Sequence, residues 1–248
     1  MRTIYILWLR QLKRYVRSKA RMIGSLGQPI LFLVALGFGF GPIYAKAGGG
    51  NYIEFLGPGV IAMAIIFTAM FGGIEIIWDR QFGFLKETMV APVSRFQIML
   101  GRTLGGATVA MIQGVVVFVI SLFIGFTPAN WLLSPVALIF MFLLALFFTA
   151  IGTAIASKLP DMQAFPLIMN FLMMPLFFLS GALFPIAGLS GGLLLVAKLD
   201  PLSYGVDGLR LALTNVGIFG YALDFAVLSV LTLIALGVGS WLFSKIEV

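Results

Sequence analysis

The chain has 248 residues, of which 61% are hydrophobic and 10% charged, with 16 Lys and Arg against 9 Asp and Glu. A soluble domain carries about a quarter charged residues, so this composition excludes an ordinary soluble fold. With no cysteine and no histidine, it also excludes disulfides, thiolate metal sites, and the commonest metal ligand and general base.

Residues 1–22 form the first predicted element. Ile4, Leu7, Trp8, Leu12, Tyr15 and Val16 fall on one side of a 3.6-residue wheel. Arg10, Lys13, Arg14, Arg17 and Arg21 fall on the other, with Lys19 the exception. This pattern predicts a basic amphipathic helix lying along the inner leaflet. Two roles are open for Trp8, Arg10, Arg14 and Arg17: a topology anchor, or a collar that also packs against a cytoplasmic partner. The segment is too long and structured for the charged lead of a removable signal peptide, and no small-x-small cleavage site follows.

Residues 23–248 then read as one six-span unit. Apolar runs long enough to cross ~30 Å of hydrocarbon cover 23–41, 55–77, 103–125, 134–156, 164–184 and 222–243. Turn-rich breaks separate them, at Gly41-Pro42 and Gly48-Gly49-Gly50, at Thr127-Pro128 and Ser134-Pro135, and at Lys158-Leu159-Pro160-Asp161. The predicted fold is an all-α polytopic membrane protein. With the N-terminus in the cytoplasm, all but Lys46, Lys198 and Arg210 of the 16 Lys and Arg fall on the cytoplasmic side. The positive-inside rule therefore places both termini there.

The segment Trp78–Arg95 is a charged, turn-rich island between two long apolar runs. Gly83 breaks the exit from the second span, and Pro92 stops a short helix over about 84–91. Ser94 caps the third span, with Gln97 completing a capping box. Phe84, Leu85 and Met89 can supply an apolar knob, and Lys86, Glu87 and Arg95 a charged rim. Such a knob transmits motion only if it docks into something that moves; otherwise it is an inner-face turn pinned at the headgroups.

Past the fifth span, residues 185–220 are too apolar for a free loop and are interrupted by Gly188, Gly191, Gly192, Pro201, Gly205 and Gly208. The pieces Leu193–Leu199 and Leu209–Leu213 are too short to span, which suits re-entrant or interfacial helices. Asp207 and Arg210, at i, i+3, are placed to pair locally.

Several chemistries are absent. No P-loop, G-x-S-x-G or H-E-x-x-H occurs, so no catalytic, metal-binding or nucleotide-binding residue is assigned, and the chain is not read as an enzyme. No carboxylate is placed at the centre of a span, where ion-coupled carriers usually hold one. Uncharged mid-span groups (Gln113, Ser121, Thr149, Thr153, Asn170, Ser180 and Thr232) suit helix–helix hydrogen bonds worth ~0.6 kcal/mol each, or a substrate path.

Three blocks resemble the ABC-2 type transporter permeases: Asp79–Arg95, Pro175–Pro185, and Asp200–Arg210. The branch in view is that of the daunorubicin-resistance and nodulation lipo-oligosaccharide export permeases. Between Pro185 and Asp200 the chain has Gly188-Leu189-Ser190-Gly191-Gly192 where the family often has a Leu-Pro pair.

The resemblance implies a homodimeric half-transporter in a bacterial or archaeal plasma membrane. It implies two copies of a separate ATPase subunit, which would hold ATP and Mg; no cofactor belongs to this chain and no nucleic acid is involved. It implies an ATPase-coupling helix at Phe84, Leu85, Lys86, Glu87, Met89 and Ala91, with Pro92 and Arg95 beside it. An outer gate follows at Pro185, Pro201, Asp207 and Arg210. Asn170, Phe171, Met173, Met174, Phe177, Phe178 and Ser180 are the candidates for lining the path or the dimer contact, with lipid-facing positions as the alternative. The expected function is outward transport of a lipid-like, drug-like or glycan-linked amphiphile. The alternatives are a self-sufficient ion-coupled carrier or channel, and a non-transport scaffold.

Overall fold

A computed structural model describes residues 2–90, 92–188 and 191–246. The described residues contain helices and no strand. Five stretches are long and apolar enough to cross a membrane: Lys19–Lys46, Tyr52–Gln81, Arg95–Ile124, Trp131–Lys158 and Tyr221–Ser244.

Helices α1 (Arg2–Arg17) and α2 (Lys19–Lys46) meet at Ser18. The first long helix therefore starts four residues before the expected span. It also runs through Gly41-Pro42, which does not break it. Pro42 costs α2 one internal hydrogen bond near its end, and the chain turns only at the glycines that follow.

The second expected span is two helices, α3 (Tyr52–Phe71) and α4 (Ile74–Gln81), separated at Gly72-Gly73. The side chain of Asn51 caps α3 by accepting from Ile53 N–H at 3.0 Å. α3 is apolar all round and buried over most of its length, the signature of a central helix. It packs against α2, α6 (Arg95–Ile124), α7 (Ser134–Lys158) and α10 (Pro201–Thr214).

Small residues set these approaches. A Cβ on Gly152 of α7 would stand 2.6 Å from Met70 O of α3. A Cβ on Gly114 of α6 would stand 2.6 Å from Ile65. α7 also carries α11 (Tyr221–Ser244) along its other flank.

α8 covers Ala164–Leu179, 16 residues against the 21 expected. At 1.5 Å per residue it is about 24 Å long, short of a ~30 Å hydrocarbon core. The chain then bends through Ser180–Phe184 into α9 (Gly191–Leu199) and α10. The piece expected at Leu209–Leu213 is the end of α10. Gly205 and Gly208 do not interrupt that helix; they lie inside it, against Leu144 and Phe140 of α7.

Candidate functional site

The charged island folds as the end of α4, a turn and α5 (Phe84–Val90). Gly83 takes φ +78°, a left-handed conformation that suits glycine, and so separates the two helices. Ser94 Oγ accepts from Gln97 N–H at 3.3 Å and starts α6. Ala91 lies outside the described residues, and Pro92 follows it exposed.

α5 does not present the expected knob. Leu85 is fully buried and Met89 packs against the core, so both hold α5 to the bundle. The outward face belongs to Lys86, Glu87 and Val90, with Phe82 just before the helix. Phe82 is 81% and Val90 85% exposed. These two apolar groups were missed because the pattern of α5 alone does not say which of its apolar residues face inward.

Phe84 stands between the two sides. Its ring lies 3.8 Å from the guanidinium carbon of Arg10 on α1. The same guanidinium donates to both carboxylate oxygens of Asp79 at 3.1 and 3.2 Å. Arg10 thus joins α1, α4 and α5 at one point.

Around it lies an ion cluster. Arg102 of α6 donates to Asp79, Arg21 of α2 to Glu75 at 2.6 Å, and Arg14 lies 3.6 Å from Glu75. Glu75 and Asp79 are 5% and 6% exposed, so the pairing offsets a large desolvation cost. The basic face of α1 is therefore partly turned into the protein rather than toward headgroups. Val16, expected on the apolar face, is 63% exposed, while Tyr15 is buried and donates to Gln113 of α6. Trp8 donates to Thr108 Oγ1 at 3.0 Å, whereas Arg17 stays exposed. The sequence carries only part of this signal: Arg10/Arg14 and Glu75/Asp79 each repeat at i, i+4, one face of a helix, but nothing in it says that the two faces meet.

Two further arginines tie the same end together. Arg80 donates to Ser157 O at 2.7 Å and reaches Ala156 O and Leu159 O at the end of α7. Arg95, expected on the rim, donates to Ser244 O at the end of α11 and to Ile246 O just beyond it.

The ABC-2 type transporter family matches residues 2–214. The chain belongs to that family. It is 32% identical over 206 residues to the protein described as transport permease ycf38 of Pyropia yezoensis, covering 81% of this chain and 70% of that protein. It is 30% identical over 208 residues to nodulation protein J of Rhizobium leguminosarum bv. trifolii, covering 83% and 76%. A ycf38 protein of Cyanophora paradoxa is 27% identical over 214 residues, 84% of this chain and 72% of that one.

In this ABC-2 permease the seven residues expected to line a path or a dimer contact do not share a face. Met173, Phe177 and Ser180 are buried in the protomer, whereas Asn170, Phe171, Met174 and Phe178 point outward. The expected Asp207–Arg210 pair is not formed either. Arg210 donates to Gly181 O at 2.9 Å and stacks 4.1 Å from the ring of Phe55. Asp207 accepts from Ile218 N–H at 2.9 Å and Phe219 N–H at 2.9 Å. A buried carbonyl for Arg210 and two adjacent loop N–H groups for Asp207 make better partners than a neighbour on the same helix, so the two charges fasten α10 to different neighbours. Pro201 fills the first turn of α10 behind the Asp200 cap, and Pro185 is exposed.

Proposed function

We propose that this permease is the membrane subunit of an ATP-driven exporter and that α5 receives force from a separate ATPase. The observation that carries this reading is the pairing of an exposed apolar and charged face on α5 with a rigid attachment behind it. Phe82, Lys86, Glu87 and Val90 face outward. Behind them Leu85 and the Arg10–Phe84–Asp79 junction join α5 to α1, α4 and, through Arg102, α6. A push on α5 then moves those helices together instead of bending a loop. These 248 residues hold no P-loop, so force from ATP has to reach them from a nucleotide-binding unit outside them.

In this reading α5 and both termini lie in the cytoplasm, and α1 adds Arg17 and Lys13 to the docking surface. Two copies of the permease pair across a path and two ATPase subunits bind beneath. The outward face of α8, with Asn170, Phe171, Met174 and Phe178, supplies the contact between copies. α9 and α10 close the path on the far side, fastened by Asp207 and Arg210. The cargo is an amphiphile moved outward across the plasma membrane, in line with membership of a transporter family and the likeness to nodulation protein J.

The test is reconstitution in vesicles with a candidate ABC-type ATPase subunit from the same organism. Glu87→Arg and Phe82→Ala are expected to lower ATPase binding and stimulated ATP turnover at least tenfold while the permease stays folded. Unchanged binding and turnover in both variants would remove the coupling assignment.

A further inference from the structure

A cavity of about 480 Å³ lies between α1, α2, α3, α4, α6 and α7, beside the α3–α4 break. Its volume falls in the range of small-molecule sites. One part of its wall is apolar, with Phe67, Phe71, Ile74 and Val109. Another part holds Arg102, Arg21, Glu75, Thr149 and Trp78.

The polar part is incompletely satisfied. Arg102 is 3% exposed and spends Nη2 on Asp79, but its Nε and Nη1 have no partner. Trp78 Nε1 and Thr149 Oγ1 are buried without partners as well. Glu75 Oε2 is the one unmet acceptor beside them, with Arg14 Nη1 at 3.6 Å and no hydrogen bond; even so, four guanidinium groups (Arg10, Arg14, Arg21, Arg102) face two carboxylates, Glu75 and Asp79. The unmet groups are mainly N–H donors in a region with excess positive charge. Their natural complement is an anion, which accepts charge-assisted hydrogen bonds. The apolar wall beside it suits a hydrocarbon body.

We infer that this cavity binds an amphiphile with a single anionic head, the head against Arg102 and the body along Phe67, Phe71 and Val109. The occupancy is independent of how α5 is driven.

The experiment uses the full chain, purified in a neutral maltoside detergent and freed of lipid, with decyl phosphate as probe. Native mass spectrometry is expected to show a one-to-one adduct. Decanol at the same concentration should bind at least tenfold more weakly, and inorganic phosphate should compete only at higher concentration. Arg102→Gln should weaken decyl phosphate binding at least tenfold. Since Arg102 also holds Asp79, Val109→Trp provides a second variant that fills the apolar part and leaves the ion cluster intact; it should weaken binding equally.

Equal binding of decanol, or folded variants that bind as the parent does, would overturn the site. Should both variants misfold, brominated decyl phosphate is tested on a chain with Trp8, Trp131 and Trp241 changed to Phe. Quenching of Trp78 supports the site, and a bound probe that leaves Trp78 unquenched overturns it. Phosphatidylglycerol that displaces decyl phosphate identifies a bilayer lipid as the occupant, whereas its failure to compete identifies a free amphiphile; either result keeps the site.

Discussion

Arg102 of α6 and Asp79 of α4 are the one ion pair among the described residues in which both side chains are buried, at 2% and 7% exposure. The other arginines of the cluster reach their carboxylates from the surface, with 31–39% of their side chains exposed. The cluster therefore has an inner pair and an outer ring, and the two parts should respond differently to mutation.

Asp79→Ala leaves the buried Arg102 guanidinium without its only hydrogen-bond partner and is expected to cost ~3–5 kcal/mol. Arg10→Ala removes a partly exposed partner and leaves Arg102 and Arg14 beside Asp79, so it is expected to cost only about 1 kcal/mol. Unfolding followed by circular dichroism in detergent and denaturant measures both. Equal losses would mean that the inner pair is no more critical than the ring.

Gly152→Ala should separate α7 from α3, because the added Cβ would stand 2.6 Å from Met70 O and 3.0 Å from its Cα. Backbone cannot swing aside as a side chain does, so the expected loss is ~1–3 kcal/mol. Gly237→Ala in α11 meets nothing within 4 Å and serves as the control. Thermal unfolding in detergent should separate the two by several degrees.

Asp200 caps α10, accepting from Leu202 N–H at 2.9 Å. Burial pushes its carboxyl up to about 7, partly countered by that N–H. Since the folded chain holds this proton more tightly than the unfolded one, the contribution to stability is largest below pH ~4. It declines as pH rises through 7 and is flat above that. Asp200→Asn keeps a carbonyl acceptor for the cap and removes the titration. It should match the parent at low pH and exceed it above pH 7, whereas Asp200→Ala, which removes the cap along with the titration, should lose ~1 kcal/mol against the parent at low pH and stay about that far below Asp200→Asn at every pH. Unfolding midpoints at pH 5 and pH 8.5 test the crossover.

The orientation proposed above is testable because the chain has no cysteine. Lys86→Cys on α5 and Val216→Cys beyond α10 are both exposed positions. In intact cells an impermeant maleimide is expected to label position 216 and to reach position 86 only after lysis. Labelling of both from one side would rule out the proposed topology.

The long apolar helices were readable because hydropathy over ~20 residues is a sum in which single errors cancel. Gly83 and Ser94 were readable because a left-handed turn and a cap are local events. Local chemistry misjudged Pro42, which a helix tolerates near its end, and Gly205 and Gly208, whose lack of a side chain serves contact with α7 rather than a turn. Gly72-Gly73 went unseen inside a continuous apolar run, although its backbone packs on that of Gly152. The inward turn of Arg10 and Arg14 was also hidden. An arginine ladder beside lipid looks the same in sequence whether phosphates or carboxylates neutralise it, and Asp79 lies 69 residues away. For the same reason Leu85 was taken for a docking contact, since burial depends on what α1 and α4 place around it.

The distant partners of α1 also bear on how the chain is made. Trp8 bonds to Thr108, Tyr15 to Gln113 and Arg10 to Asp79, so every anchor of α1 lies in sequence translated much later. At ~5–20 residues per second, α1 waits on the order of 5–20 seconds after synthesis before α6 is complete. Until Glu75 and Asp79 emerge its arginines have only water and lipid headgroups for company, and Trp8 and Tyr15 wait longer, for α6. Seating of α1 is therefore a late step of assembly, complete only once α4 and α6 are in place.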